Sequence, residues 1–253
     1  MTEILKKILL GAVSNDNVRK FINNELNEEE IKNLSDAEIP NDLAEWVEFK
    51  DLGPALSMIG YKRLTNLEHL VTDIVNNKVE GSFIETGVWK GGACMFVKYL
   101  FNKYNVNKKV YVADSFQGLP IPNPDKYPKD LNDIHHTYDF LKISQKDVKN
   151  NFSKFNLLDD NVIFLKGWFS ETLPKVDDKF AIIRLDGDMY ESTMDALTNL
   201  YDKLSINGYV IIDDFSFIAC SDAVNDFRRD NGIVDEMIKI DSSSIYWKKT
   251  KNK

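Results

Sequence analysis

Two apolar runs in the second half of the chain each end in paired aspartates, "AIIRLDGD" (Ala181 to Asp188) and "GYVIIDD" (Gly208 to Asp214). Short continuous apolar runs read as buried parallel strands, and open α/β sheets place their chemistry where such strands end. Asp186, Asp188, Asp213 and Asp214 therefore converge on one edge of the expected sheet. Crowded carboxylates repel one another and raise their own pKa values unless a cation sits among them; an all-oxygen set suits a hard ion such as magnesium. Three carboxylates could complete much of such an ion's shell and leave the fourth as a base. That arrangement would deprotonate an alcohol, because a divalent ion lowers the pKa of a coordinated hydroxyl and a nearby carboxylate accepts the proton. The plainer alternative is that Asp188 caps the next helix and Asp213 or Asp214 is a solvated loop residue.

A second group lies upstream. "ETGVWKGG" leaves an apolar run directly, with Gly87 and Gly91 in a turn that opens a helix at about Gly92. Glycines there let a ligand approach the backbone while the helix N-terminus presents free N–H groups. The spacing is not the GxGxxG of dinucleotide sites, and Glu85 would repel a diphosphate while orienting a cationic or amine-bearing ligand. Asp114 ends the next run, where an acidic residue accepts hydrogen bonds from ribose hydroxyls in nucleotide-binding α/β folds. A positively charged adenosine ligand fits both, and S-adenosylmethionine (SAM) has these features. Trp168 and Phe169 leave the third run where they could flank an adenine, although core packing would also explain them.

The elements that must position these residues follow from the pattern. From residue 83 onward strand-like runs alternate with helix-length amphipathic stretches, the signature of βαβ units. Strands are expected at 82–88, 109–116, 161–169, in "FAIIRLDGD" and from Gly208, with helices near 92–103, 143–155, from Ser192 to about Leu204 and near 221–230. "VDEMIKID" and "SSIYWKK" are joined so tightly that they must pair antiparallel. The fold class is α/β: a Rossmann-like, seven-stranded, mostly parallel sheet with one antiparallel strand. Residues 1–80 carry helical patterns without a strand and are read as an N-terminal helical cap over the sheet edge, with 81–253 as the catalytic domain. Ile4, Leu5, Ile8 and Leu9 make the first helix amphipathic, a docking helix rather than a signal peptide. The loop from Gln117 to about Thr137 is a lid or specificity element, or else a solvated insertion. His135 and His136 at its end could assist proton transfer or simply face solvent, and His69 belongs to packing or surface.

With 253 residues the chain can bury a sizeable core, and its formal net charge of −8 disfavours nucleic acid and anionic lipid partners. Its two cysteines, Cys94 and Cys220, fall in helical segments and offer neither a disulfide framework nor a CxxC metal site, so a cytoplasmic setting is expected.

Taken together, "FIETGVWKGGA", "VYVADSFQGLP", "GWFSETLP", "RLDGDMYESTMDAL" and "GYVIIDDF" resemble the macrocin O-methyltransferase family of SAM- and magnesium-dependent sugar O-methyltransferases, from about Met58 to Trp247. The resemblance implies the class I SAM-methyltransferase fold, Asp186, Asp213 and Asp214 as magnesium ligands, and Asp188 as general base. It implies a SAM pocket lined by Glu85, Thr86, Gly87, Gly91, Asp114 and Ser115, with Trp168 and Ser170 near the adenine, and commonly a homodimer with N-terminal segments closing over the site. The first 50 residues and the stretch from Tyr127 to Thr137 lie outside the resemblance. The acceptor is accordingly left as a deoxysugar of a natural product or a surface-glycan or nucleotide-linked sugar. An NAD-dependent sugar oxidoreductase or epimerase is disfavoured by the missing GxGxxG and by Glu85. A noncatalytic SAM-binding protein is disfavoured by the four like charges that only catalysis would justify.

Overall fold

The computed structural model describes residues 1–39 and 54–252; the part of the expected N-terminal cap at 40–53 lies outside the described residues. Strands β1 (Ser82–Thr86), β2 (Val110–Asp114), β3 (Val162–Lys166), β4 (Phe180–Leu185), β5 (Leu204–Ile212), β6 (Ile238–Lys239) and β7 (Ile245–Lys248) form one sheet in the order β3-β2-β1-β4-β5-β7-β6. The first five run parallel, and β7 is antiparallel to both β5 and β6. β1 and β4 are buried along their whole length, as strands covered on both faces must be.

Two boundaries differ from expectation for physical reasons. β5 begins at Leu204 rather than Gly208, and its register against β4 slips between Phe180 and Ile182. A side chain at Gly208 would meet the Ala181 carbonyl at 2.7 Å, so glycine marks this irregularity inside the strand rather than its start. The apolar run had located only the buried half. β6 shrinks to two exposed residues at the sheet's edge.

Helices α1 (Thr2–Leu9), α2 (Asn15–Asn23), α3 (Glu28–Asp36) and α4 (Gly60–Asn76) precede the sheet. Ile4, Leu5, Ile8 and Leu9 are all buried, as a docking helix requires. α4 does not cover an edge: it packs on β4 and β5, central strands, and on α5 (Gly92–Lys103). Leu64, Leu67, Val71 and Ile74 share one hydrophobic cluster with Phe83, Val112 and Ile182 of the sheet. A helical stripe of this width buries more apolar area against a sheet face than against an edge, where unpaired backbone groups want polar partners.

The remaining helices are α6 (Gln145–Lys154), the short α7 (Phe169–Thr172), α8 (Tyr190–Leu200) and α9 (Ile218–Asp230). α8 begins two residues before the expected Ser192, and its cap comes from elsewhere in the chain. The backbone N–H groups of Tyr190 and Glu191 donate to the two carboxylate oxygens of Asp130 at 2.7 and 3.0 Å. Asp130 belongs to the long loop after β2 and is buried, and the adjacent Lys129 is salt-bridged to Asp222 and Asp226 of α9. That loop is therefore pinned across two helices. Among the described residues no helix is long and apolar enough to cross a membrane.

Candidate active site

A cavity of about 340 Å³ opens at the C-terminal ends of β1, β2 and β4. Its lining includes Glu85, Gly87, Asp114, Ser115, Trp168, Ser170, Asp186 and Asp188, so the structure brings both groups of sequence-selected residues to one space. Thr86, Gly91, Asp213 and Asp214 are not among the lining residues. Thr86 is buried at the end of β1, and a side chain on Gly91 would strike Val148 and Phe152 of α6. Gly91 is thus needed for helix packing, with a positive φ of 89°, rather than for ligand approach. Gly87 has its own reason: a Cβ there would lie 1.6 Å from the Asp186 carbonyl oxygen, where the exits of β1 and β4 cross.

Asp114 organises the glycine turn. Its Oδ2 accepts the Val88 N–H at 2.8 Å and its Oδ1 the Phe116 N–H at 2.6 Å. Burial raises its pKa, opposed by these backbone donors. The loop after β2 supplies Gly118, Leu119, Pro120, Ile121 and Asn123 to the wall.

Asp186, Asp213 and Asp214 each offer an oxygen within 4.8 Å of the others, a set of hard donors that fits one small divalent cation. Asp186 lies just past β4 and Asp213 just past β5, where the backbone turns and lets neighbouring aspartates face inward. Asp188 lies beyond the end of β4 rather than inside the strand run expected to hold it. It sits at a φ of +58°, and its N–H donates to Asp214 Oδ2 at 3.1 Å, which aims its carboxyl back into the cavity. Burial, then the charges of Asp133 and Asp213, push Asp188 up to about 6 against the pull of His135. Asp186 and Asp214 are raised well above the ordinary carboxylate range, first by burial and then by neighbouring carboxylates.

Two arginines escaped the sequence reading. Arg184, 1% exposed, lies next to the C-terminal end of β4 and donates to Glu85 Oε1, to Asp186 Oδ2 at 2.8 Å and to Asp213 Oδ1. Arg63, 3% exposed, reaches in from α4 to Asp213 Oδ2. Much of the charge compensation thought to require a bound ion is built into the protein. Burial opposes the charge on Arg184, but Asp213, Asp186 and Glu85 together raise its pKa well above normal. Glu85 is consequently committed to Arg184 and to the Cys94 thiol, which donates to Oε2 at 2.8 Å. The signal was available: an arginine inside an apolar strand run must find buried partners, and the nearest strand ends supply only carboxylates. Asp214, by contrast, takes the Asp188 N–H but has no ion pair among the described residues.

His135 donates or accepts through Nδ1 with Asp133 Oδ2 at 2.7 Å, a contact that raises its pKa, and packs edge-on to Tyr138 and tilted against Phe217. It is not among the cavity-lining residues, and His69 is exposed on α4.

The parallel sheet reversed once at β7, with Asp114 and the carboxylate cluster at its strand ends, is the class I methyltransferase fold. The family model described as macrocin-O-methyltransferase (TylF) matches residues 2–249, so the likeness also takes in the first 50 residues and the loop through Thr137. The chain belongs to the macrocin-O-methyltransferase family and is an O-methyltransferase. It is 45% identical over 201 residues to the demethyldecarbamoylnovobiocin O-methyltransferase of Streptomyces niveus, covering 78% of this chain and 77% of that protein. It is 44% identical over 201 residues to the mycinamicin III 3''-O-methyltransferase of Micromonospora griseorubida, covering 78% and 79% respectively. The solved structure of the O-methyltransferase NovP superposes with a TM-score of 0.83 at 39% identity, over 99% of this chain and 98% of that one.

Proposed function

We propose that the protein transfers a methyl group from SAM to a sugar hydroxyl with the help of magnesium, and that it works in the cytoplasm as a homodimer. The observation that carries the reading is the single cavity shared by Asp114 and Ser115 on one side and Asp186 and Asp188 on the other. A methyl donor and an acceptor must meet there within bonding distance, and such positioning can supply a large part of the acceleration. The two relatives named above act, by their names, on glycosylated natural products, which supports a sugar-bearing acceptor of that kind or a glycan precursor.

Asp114 would hold the ribose hydroxyls of SAM, and Trp168 and Ser170 would border its adenine. Asp186, Asp213 and Asp214 would hold the metal. When bound, magnesium would lower the pKa of an acceptor hydroxyl, and SAM would offer an electrophilic methyl. Asp188 takes the hydroxyl proton on its carboxylate as the oxygen turns nucleophilic. Its left-handed backbone and the tether to Asp214 fix that carboxylate before substrate arrives.

Calorimetric titration of the metal-stripped protein with SAM and then magnesium, repeated on Asp213→Ala, tests the cofactor assignments. SAM binding with a magnesium response absent from the variant is the expected result; SAM binding without any metal response would remove the metal from the mechanism. Asp188→Asn should lower kcat by about 10²–10⁴-fold, the usual contribution of a positioned base, while SAM affinity is retained. Full turnover in that variant, followed as methylated sugar by mass spectrometry, would take the base role from Asp188.

A further inference from the structure

Asp213 is held more completely than any other carboxylate of the cluster, and by parts of the chain far from it. Arg184 grips Oδ1 from the neighbouring strand, and Arg63 of α4, 150 positions earlier, grips Oδ2. Arg63 is itself seated: its Nε donates to Asp241 Oδ2 at 2.6 Å and its Nη2 to Asp241 Oδ1 at 3.2 Å. Asp241 is 2% exposed and lies in the turn between β6 and β7, where its Oδ1 also accepts the N–H groups of Ser243 at 2.9 Å and Ser244 at 2.8 Å. The same turn supports the end of β5, with Ser244 Oγ donating to the Ile212 carbonyl at 2.8 Å. A bidentate, buried guanidinium fixes both angle and distance, unlike the point charge of a lysine.

We propose that Arg63, seated by Asp241, is a positioning residue that sets the rotamer of Asp213 and thereby the affinity of the metal site. The inference rests on the metal reading of Asp186, Asp213 and Asp214 above. Each Asp213 oxygen accepts one guanidinium N–H and keeps a second acceptor site, so the bridge selects which direction remains for an ion. Neither Arg63 nor Asp241 lines the cavity, and Arg63 meets the cluster at Asp213 Oδ2. A purely charge-balancing role predicts no change for Arg63→Lys, which keeps the cation beside the cluster.

The test is calorimetric titration of the metal-stripped full chain with magnesium chloride alone, on the unaltered protein, Arg63→Lys, Asp241→Asn and the double variant. Near-ultraviolet circular dichroism establishes that each is folded. Arg63→Lys keeps the charge and loses the fork, and we expect it and Asp241→Asn each to weaken magnesium binding by about 10–100-fold, as loss of an outer partner of a ligand does. The double variant should be no weaker than the worse single one, because both break the same bridge. SAM affinity should be unchanged in all four. Magnesium bound by Arg63→Lys as tightly as by the unaltered protein, or more tightly, or fully additive losses in the double variant, would overturn the proposal. Failure of the unaltered protein to bind magnesium is a different result and overturns the metal reading together with it. If Arg63→Lys does not fold, Arg63→Gln decides: weaker magnesium binding despite the lost cation supports positioning, and equal or tighter binding, the sign of charge balance, overturns it.

Discussion

Arg184 shows how one side chain can stabilise a site that would otherwise oppose its own folding. Three carboxylates, Glu85, Asp186 and Asp213, share its guanidinium, and Glu85 and Asp213 are almost wholly buried. Breaking a buried ion pair costs more than the pair contributes, because the abandoned charge stays in a poor solvent. Arg184→Met should therefore destabilise the protein by about 3–5 kcal/mol, read as a lower midpoint in urea unfolding. Unchanged stability would mean that the carboxylates are already neutral and need no partner. At this scale the sequence named all four aspartates, because paired acids at the ends of apolar runs are visible without a structure. It missed Arg184 although the residue stood inside the quoted motif, since an isolated positive charge in a strand does not announce which carboxylates it meets. Arg63 was invisible, for its partners lie 150 and 178 positions away.

At the scale of elements, the loop after β2 serves as the N-terminal cap of α8. The helix has no capping side chain of its own, and Asp130 supplies both acceptors for its first exposed N–H groups. Asp130→Ala should cost about 1 kcal/mol, the usual worth of a cap, and for a chain of this length should lower Tm by about 2–4 °C in a thermal melt. A larger loss would show that the loop's anchoring, not just the cap, depended on that carboxylate. Strand and helix order was legible because periodicity reports burial directly. The start of α8 was not, since a cap contributed from 60 residues away leaves no mark beside the helix. β5 was shortened in the reading for a related cause: its first half is partly exposed and lacks the apolar run that signals a buried strand.

For the molecule as a whole, the end of the sheet opposite the site is tied by Asp178, which accepts from Tyr111 at 2.9 Å on β2, Ser82 at 3.1 Å on β1 and its neighbour Lys179 N–H at 2.8 Å. Burial pushes its pKa up, but these donors outweigh it and hold the carboxyl below its usual value. A depressed folded pKa stabilises the protein above the unfolded value of about 3.9, and this contribution is lost as pH falls through the folded pKa. The stability advantage of the unaltered protein over Asp178→Asn should be full at pH 6–7 and shrink as pH drops below about 4, followed by urea unfolding across that range. An advantage constant down to pH 3 would mean that the carboxylate's charge plays no part. The sequence by itself determined the α/β class, the single reversed strand, the docking of the first helix and the convergence of the four aspartates. These follow from local patterns of burial and from the rule that parallel strands end on one side. Only the tertiary structure decided that α4 lies on the sheet face, that Gly91 serves helix packing, that the loop after β2 caps α8, and that two arginines share the acidic cluster. Each of those depends on which distant groups the fold brings within hydrogen-bonding reach, and no spacing along the chain encodes that distance.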